Sequence, residues 1–142
     1  MKIIECTYCG IAANSLDHII PVSYNQTLRK NVKYSKENTV PSCTECNSSL
    51  SNIWLPTIPE RAGCLLEKYN KKYKKLLNQP EWEDWEIEEL GPGMKKVILT
   101  NKKKKEIIIE RLNVLMHVFT NSNLTIEDVW DKYPEDSFGK FR

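Results

Sequence analysis

The chain has 142 residues, 40% of them apolar and 28% charged, with a formal net charge of +2. That composition is ordinary for a soluble globular protein, and the length allows one domain or a compact module with a helical extension. No apolar run approaches the roughly 20 residues that span a bilayer. The start of the chain places one lysine and two isoleucines before Glu5, which is not a signal peptide. A cytoplasmic, intracellular protein is therefore the expectation.

The small net charge conceals blocks. Residues 1–60 hold five basic and five acidic side chains, 61–80 hold six basic and one acidic, and 81–90 hold six acidic and no basic. Residues 91–111 return to seven basic and two acidic. Two positive stretches around an acidic one suit two DNA-facing surfaces separated by a packing helix, or simply solvated helix faces.

In chain order, the first feature is Cys6-x-x-Cys9, answered later by Cys43-x-x-Cys46. In a reducing compartment, two such pairs read as a metal site rather than disulfides or redox motifs. A two-residue spacer bends the chain into a knuckle whose thiolates face one tetrahedral ion. Two knuckles make a closed four-thiolate shell, so the implied Zn²⁺ is structural. Leu16 to Pro21 is short, apolar-rich and ended by proline, which predicts an extended segment closing in a turn. Val22 to Glu37 has no clear period and reads as a loop. Thr39 to Ser42 predicts a second short extended piece, followed by a helix from the Cys43 pair through Asn47 towards Asn52.

After Pro56 and Pro59, residues Ala62, Leu65, Leu66, Tyr69, Tyr73, Leu76 and Leu77 fall at helical spacing. Pro59 suits the first turn of that helix. Cys64 lies within the pattern and reads as buried and chemically idle. Glu81 to Leu90 predicts a short helix stopped by Gly91-Pro92. Ile107 to Phe119 predicts a long helix with much of its circumference buried, His117 serving structure. Thr125 with the acids after it marks another helix start. The tail from Pro134 to Arg142 reads as loosely held.

Between the cysteine pairs stand Asp17-His18 and Asn38, and Asn47 directly follows Cys46. Cys-x-x-Cys-Gly, Leu-Asp-His-Ile-Ile-Pro, Asn-Thr-Val-Pro and Cys-x-x-Cys-Asn, in this order over residues 6 to about 52, resemble the HNH endonucleases with a four-cysteine zinc scaffold. Asp-His, Asn and Asn also resemble the HNH domain of the CRISPR effector nucleases, which lacks the zinc cysteines. The resemblance implies an α+β fold: a ββα-metal, treble-clef-like, zinc-stapled core over 1–57 with a helical C-terminal extension over 58–142. It further implies hydrolysis of DNA phosphodiesters to 5′-phosphate and 3′-hydroxyl ends. By resemblance, His18 activates water, while Asp17 and Asn47 hold a divalent cation, Mg²⁺ or Mn²⁺. Asn38 pins the loop and so orients the histidine.

The residues support that assignment on their own terms. Phosphodiester hydrolysis needs a base for water, positive charge for the developing phosphorane, and stabilisation of the leaving oxygen. His18 has a reference pKa near neutrality. One carboxylate and one amide oxygen make a hard, sparse cation site. In a regular strand Asp17 and His18 would face opposite ways; the family resolves this with a distorted strand end. About 50 residues bury too little to fix such geometry unaided, and zinc supplies the missing stability.

The family often has a basic residue three positions after the last ligand; here Leu50 stands there. Phosphate contacts are therefore sought elsewhere: Arg29, Lys30, Lys33 and Lys36 in the central loop, Lys68, Lys72 and Lys75 on one helix face, and Lys102 to Lys105. Tyr69 and Tyr73 mix with leucines and read as core. The apolar helices could support a homodimer. A zinc-bearing nucleic-acid-binding module without catalysis is the alternative reading. Restriction, phage DNA processing and mobile elements are the settings to which such a chain would belong.

Overall fold

A computed structural model describes residues 3–20, 36–51 and 53–141. Strands β1 (Ser15–His18) and β2 (Thr39–Ser42) pair antiparallel, with Asp17 opposite Val40 and His18 opposite Thr39. Helix α1 (Thr44–Leu50) follows β2 directly. Cys43 caps it, its Sγ accepting the Cys46 amide at 3.4 Å, so one side chain both starts the helix and shapes the second knuckle.

The first knuckle is a tight turn closed by a Gly10 amide to Cys6 carbonyl bond at 3.1 Å. Gly10 has φ +83°, a left-handed conformation that costs glycine nothing. Thr7 ties this turn to β2, its amide and Oγ1 both donating to the Pro41 carbonyl, at 2.9 and 2.8 Å. Mixed helix and sheet with four clustered cysteines is the α+β arrangement of a ββα-metal core.

Helices α2 (Ile58–Lys72) and α3 (Lys74–Leu77) follow, the first capped by Thr57 with Pro59 in its opening turn. The short α4 (Asp84–Glu88) is started by a capping box between Glu83 and Glu86. Helix α5 runs from Pro92 to Thr120, far longer than the apolar segment from Ile107 predicts. Gly91 is extended, Pro92 is pre-set for the first helical position, and the lysines beyond are good helix formers without apolar periodicity.

Nor is α5 buried around much of its circumference. Ile108, Arg111, Leu115 and Val118 are buried, whereas Ile107, Ile109, Val114, Met116 and Phe119 are exposed. His117 too lies on the exposed side, in the wall of a cavity shared with Gly10 and Lys132. Cys64 is only half-buried, packed against the edge of the core.

Helix α6 (Ile126–Trp130) is capped by Thr125, and the tail is ordered rather than loose. Glu135–Phe141 forms a 3₁₀ helix whose Phe138 and Phe141 meet the Trp130 ring edge-on, at 5.5 and 6.4 Å.

The acidic stretch folds back on α5. Lys105 reaches Glu81 at 3.1 Å and Lys102 reaches Asp84 at 3.9 Å, so charge blocks far apart in sequence meet within the chain. The apolar core runs across residue 57 without a break: the four cysteines, Tyr8, Val40 and Leu50 pack with Ile58, Ala62, Leu65 and Tyr69 of α2 and Leu115 and Val118 of α5. Among the described residues no helix is long and apolar enough to cross a membrane.

Candidate metal centre and nuclease site

Two knuckles, one before β1 and one at the start of α1, bring Cys6, Cys9, Cys43 and Cys46 together. Their four sulfurs lie within 4.8 Å of one another and all four residues are buried. Cys9 and Cys43 Sγ are 3.7 Å apart. Crowded sulfurs cannot all ionise unaided. Bonding from Cys43 and Cys46 lowers the Cys6 thiol to about 7 and pulls Cys9 lower still, while Cys46 is pushed up chiefly by the bonds it gives to its neighbours. A closed, buried, all-thiol tetrad is the donor set and geometry that Zn²⁺ takes as a structural ion.

The second cluster surrounds β1. Asn38 clamps the strand's exit: its Oδ1 accepts the Ile20 amide at 2.9 Å and its Nδ2 donates to the Ile20 carbonyl at 3.3 Å. Asn47, projecting from α1, donates from Nδ2 to the Leu16 carbonyl at 3.1 Å and to Ser15 Oγ at 3.2 Å. His18 lies between these two anchors, half-buried, with its Nε2 in the interior.

Asp17 does not sit on an open face. β1 is regular, so alternation turns Asp17 into the core, where its side chain is 2% exposed. There Oδ2 accepts from Tyr8 Oη and from Arg61 Nε and Nη2, the latter two at 3.1 and 2.7 Å. Burial lifts the Asp17 pKa above the usual carboxylate range even against the Arg61 guanidinium. The same burial, reinforced by Asp17, raises the Tyr8 phenol.

Arg61 is wholly buried and spends its remaining donors on main-chain carbonyls of Ile19, Ile53 and Leu55 at 3.3 to 3.4 Å and His18 at 3.5 Å. The bonds to Asp17 from Tyr8 and Arg61 all fall on Oδ2, and those that Asn47 makes leave from its Nδ2.

The basic residues named from sequence fare differently. Arg29, Lys30 and Lys33 lie outside the described residues. Lys36 is half-buried with its ammonium 5.8 Å from the Trp130 ring centre. Lys68 donates to the Ser49 carbonyl at 2.6 Å, closing the end of α1. Lys72 pairs with Glu45 at 2.5 Å, and Lys75 is exposed. Tyr69 is buried and Tyr73 half-buried, as part of the core and its edge.

Arg61, Arg111, Glu45, Tyr8 and Trp130 were not singled out from sequence, yet each holds the site. An arginine on the apolar face of an otherwise amphipathic helix was the available signal for both arginines.

Residues 6–52 match the family model described as HNH endonuclease. No curated protein and no solved structure matches the chain. The matched span contains both knuckles, both strands and α1, and over those residues the chain is similar to the HNH endonucleases.

Proposed function

We propose that this protein is a metal-dependent DNA endonuclease with a structural Zn²⁺ on Cys6, Cys9, Cys43 and Cys46. The observation that carries the reading is the meeting of three dispersed motif residues at one short strand. Asn38 grips its exit, Asn47 grips its entry, and His18 lies between them.

In this reading an imidazole nitrogen of His18 takes a proton from the attacking water. The water oxygen bonds to phosphorus, the bond to the 3′ oxygen breaks, and that oxygen gains a proton from solvent. The products are a 5′-phosphate and a 3′-hydroxyl. Asn38 acts as a positioning residue, holding the main chain two residues after the base. Asn47 and Asp17 Oδ1 would hold Mg²⁺ or Mn²⁺, which when bound supplies positive charge against the phosphorane and the leaving oxygen. Lys36 and Lys75, with Arg29, Lys30 and Lys33, would meet the DNA backbone; Lys68 and Lys72 would reach it only by leaving their present partners. A homodimer would be needed for concerted cutting of both strands.

A second reading, a zinc-bearing nucleic-acid-binding module without catalysis, draws on the clamp over Asp17 and on Leu50, fully buried where family members often carry a base. Supercoiled plasmid with Mg²⁺ separates the two. Wild-type nicking lost at least about a thousandfold in His18→Ala, with DNA retention unchanged, is the outcome expected of a general base acting with bound metal. Equal inactivity of both proteins, with both retaining DNA, would leave only the second reading.

A further inference from the structure

Helix α5 carries a buried cation of a kind that the described residues of the matched segment lack. Arg111 is 6% exposed, and its Nη1 meets Glu45 Oε1 at 2.6 Å. Glu45 belongs to the spacer between Cys43 and Cys46, so the arginine is moored on the second knuckle. Its guanidinium lies over the Tyr69 ring, 5.0 Å from the centre, and Tyr69 Oη donates to Cys46 Sγ at 3.1 Å.

The remaining donors are the informative ones. Arg111 Nε and Nη2 are buried and have no hydrogen-bond partner among the described residues. A buried guanidinium with two idle nitrogens is costly unless an anion faces it. The anion at hand is sulfur: Gly10, next to Cys9, lies against Val114 one turn along α5, and the Tyr69 hydroxyl under the guanidinium already donates to Cys46 Sγ. Four thiolates around one Zn²⁺ carry two negative charges in excess, in a place from which water is excluded.

We propose that Arg111, with Tyr69, forms the outer coordination shell of the zinc centre, Arg111 donating N–H···S bonds to the first knuckle and Tyr69 an O–H···S bond to the second. The helical extension thereby supplies the counter-charge for a metal whose ligands all come from the HNH segment. This role rests on the zinc reading and is independent of nuclease activity. Outer-shell partners of this kind typically govern metal affinity by about 10- to 100-fold.

The test uses the full-length protein loaded with Zn²⁺ or Co²⁺. Arg111→Met should lose zinc to a competing chelator at least about tenfold faster than wild type. In the Co²⁺ form, its thiolate-to-metal charge-transfer band should move to lower energy, because sulfur lone pairs freed of N–H donors are easier to oxidise. Arg111→Lys, which keeps the charge, should recover part of both effects.

Leu112→Ala is the control for mere loosening of α5, since Leu112 packs against the same core. If Leu112→Ala speeds zinc loss as much as Arg111→Met, or if the Co²⁺ band of Arg111→Met stays where wild type has it, the proposal is overturned. Wild type that takes up neither metal would instead remove the zinc reading beneath it.

Discussion

At the scale of single residues, the two charged side chains in the deepest part of the molecule decide how firmly the site is held. Asp17 and Arg61 form an ion pair with both partners almost wholly shielded from water, and Arg61 also braces the carbonyls of His18 and Ile19. Removing one member of such a pair strands the other, at about 3–5 kcal/mol, whereas replacing both by apolar groups of similar size is often nearly neutral. Arg61→Met should therefore lower the urea stability by that amount, and Asp17→Leu with Arg61→Met should regain most of it while leaving plasmid nicking abolished. Recovery of nicking in the double variant would show that Asp17 has no part in the chemistry.

Glu45 gives a second residue-level prediction, in pH. Burial disfavours its charge, but Lys72, Tyr73 and Arg111 together hold it at about 2, against an ordinary 4.5. A depressed carboxylate stabilises the fold above its unfolded pKa and loses that contribution as pH falls towards the folded value. The urea-stability gap between wild type and Glu45→Gln should be full near pH 6, on the order of 3 kcal/mol at most, and should close as pH is lowered from about 4.5 to 2. A gap that stays constant over that range would contradict the triple pairing.

At the scale of elements, sequence reading was strong where one local rule governed and weak where tertiary partners did. Thr125 caps a helix, Pro59 opens one, and the cysteine spacing gives two knuckles, because each of these effects acts within about one turn of chain. The first half of α5 escaped because Lys102 and Lys105 answer Asp84 and Glu81 on another element, a relation that periodicity does not encode. The inward turn of Asp17 follows from strand alternation, but its reason, Arg61, stands 44 positions away.

The α2–α5 contact yields a prediction of its own. A Cβ on Gly63 would meet Phe119 Cδ1 and Cε1 at 2.8 Å, and that ring is half-exposed, free to swing outwards. Helix propensity favours alanine by about 1 kcal/mol, and moving the ring offsets a similar amount. Gly63→Ala should then change thermal stability little in wild type yet stabilise Phe119→Ala by about 1 kcal/mol. Equal effects in the two backgrounds would mean that the ring and the glycine do not meet.

At the scale of the whole molecule, the HNH segment is held from several directions by chain outside it. Arg61 grips β1, Arg111 and Tyr69 attend the cysteines, and the Trp130 indole donates to the Thr39 carbonyl at 2.8 Å. The motif order in the sequence pointed to the segment; an arginine on an apolar helix face marks two of its supports, but not what each one grips.

That last bond sets a schedule as well as a shape. Thr39 is the strand partner of His18, and its carbonyl waits for a side chain 91 positions further along. A chain emerging from the ribosome N-terminus first must be made through Trp130 before that tie can form. The hairpin that carries His18 is thus completed only after α6 has been made, so the two strands can pair long before their outer edge is tied down.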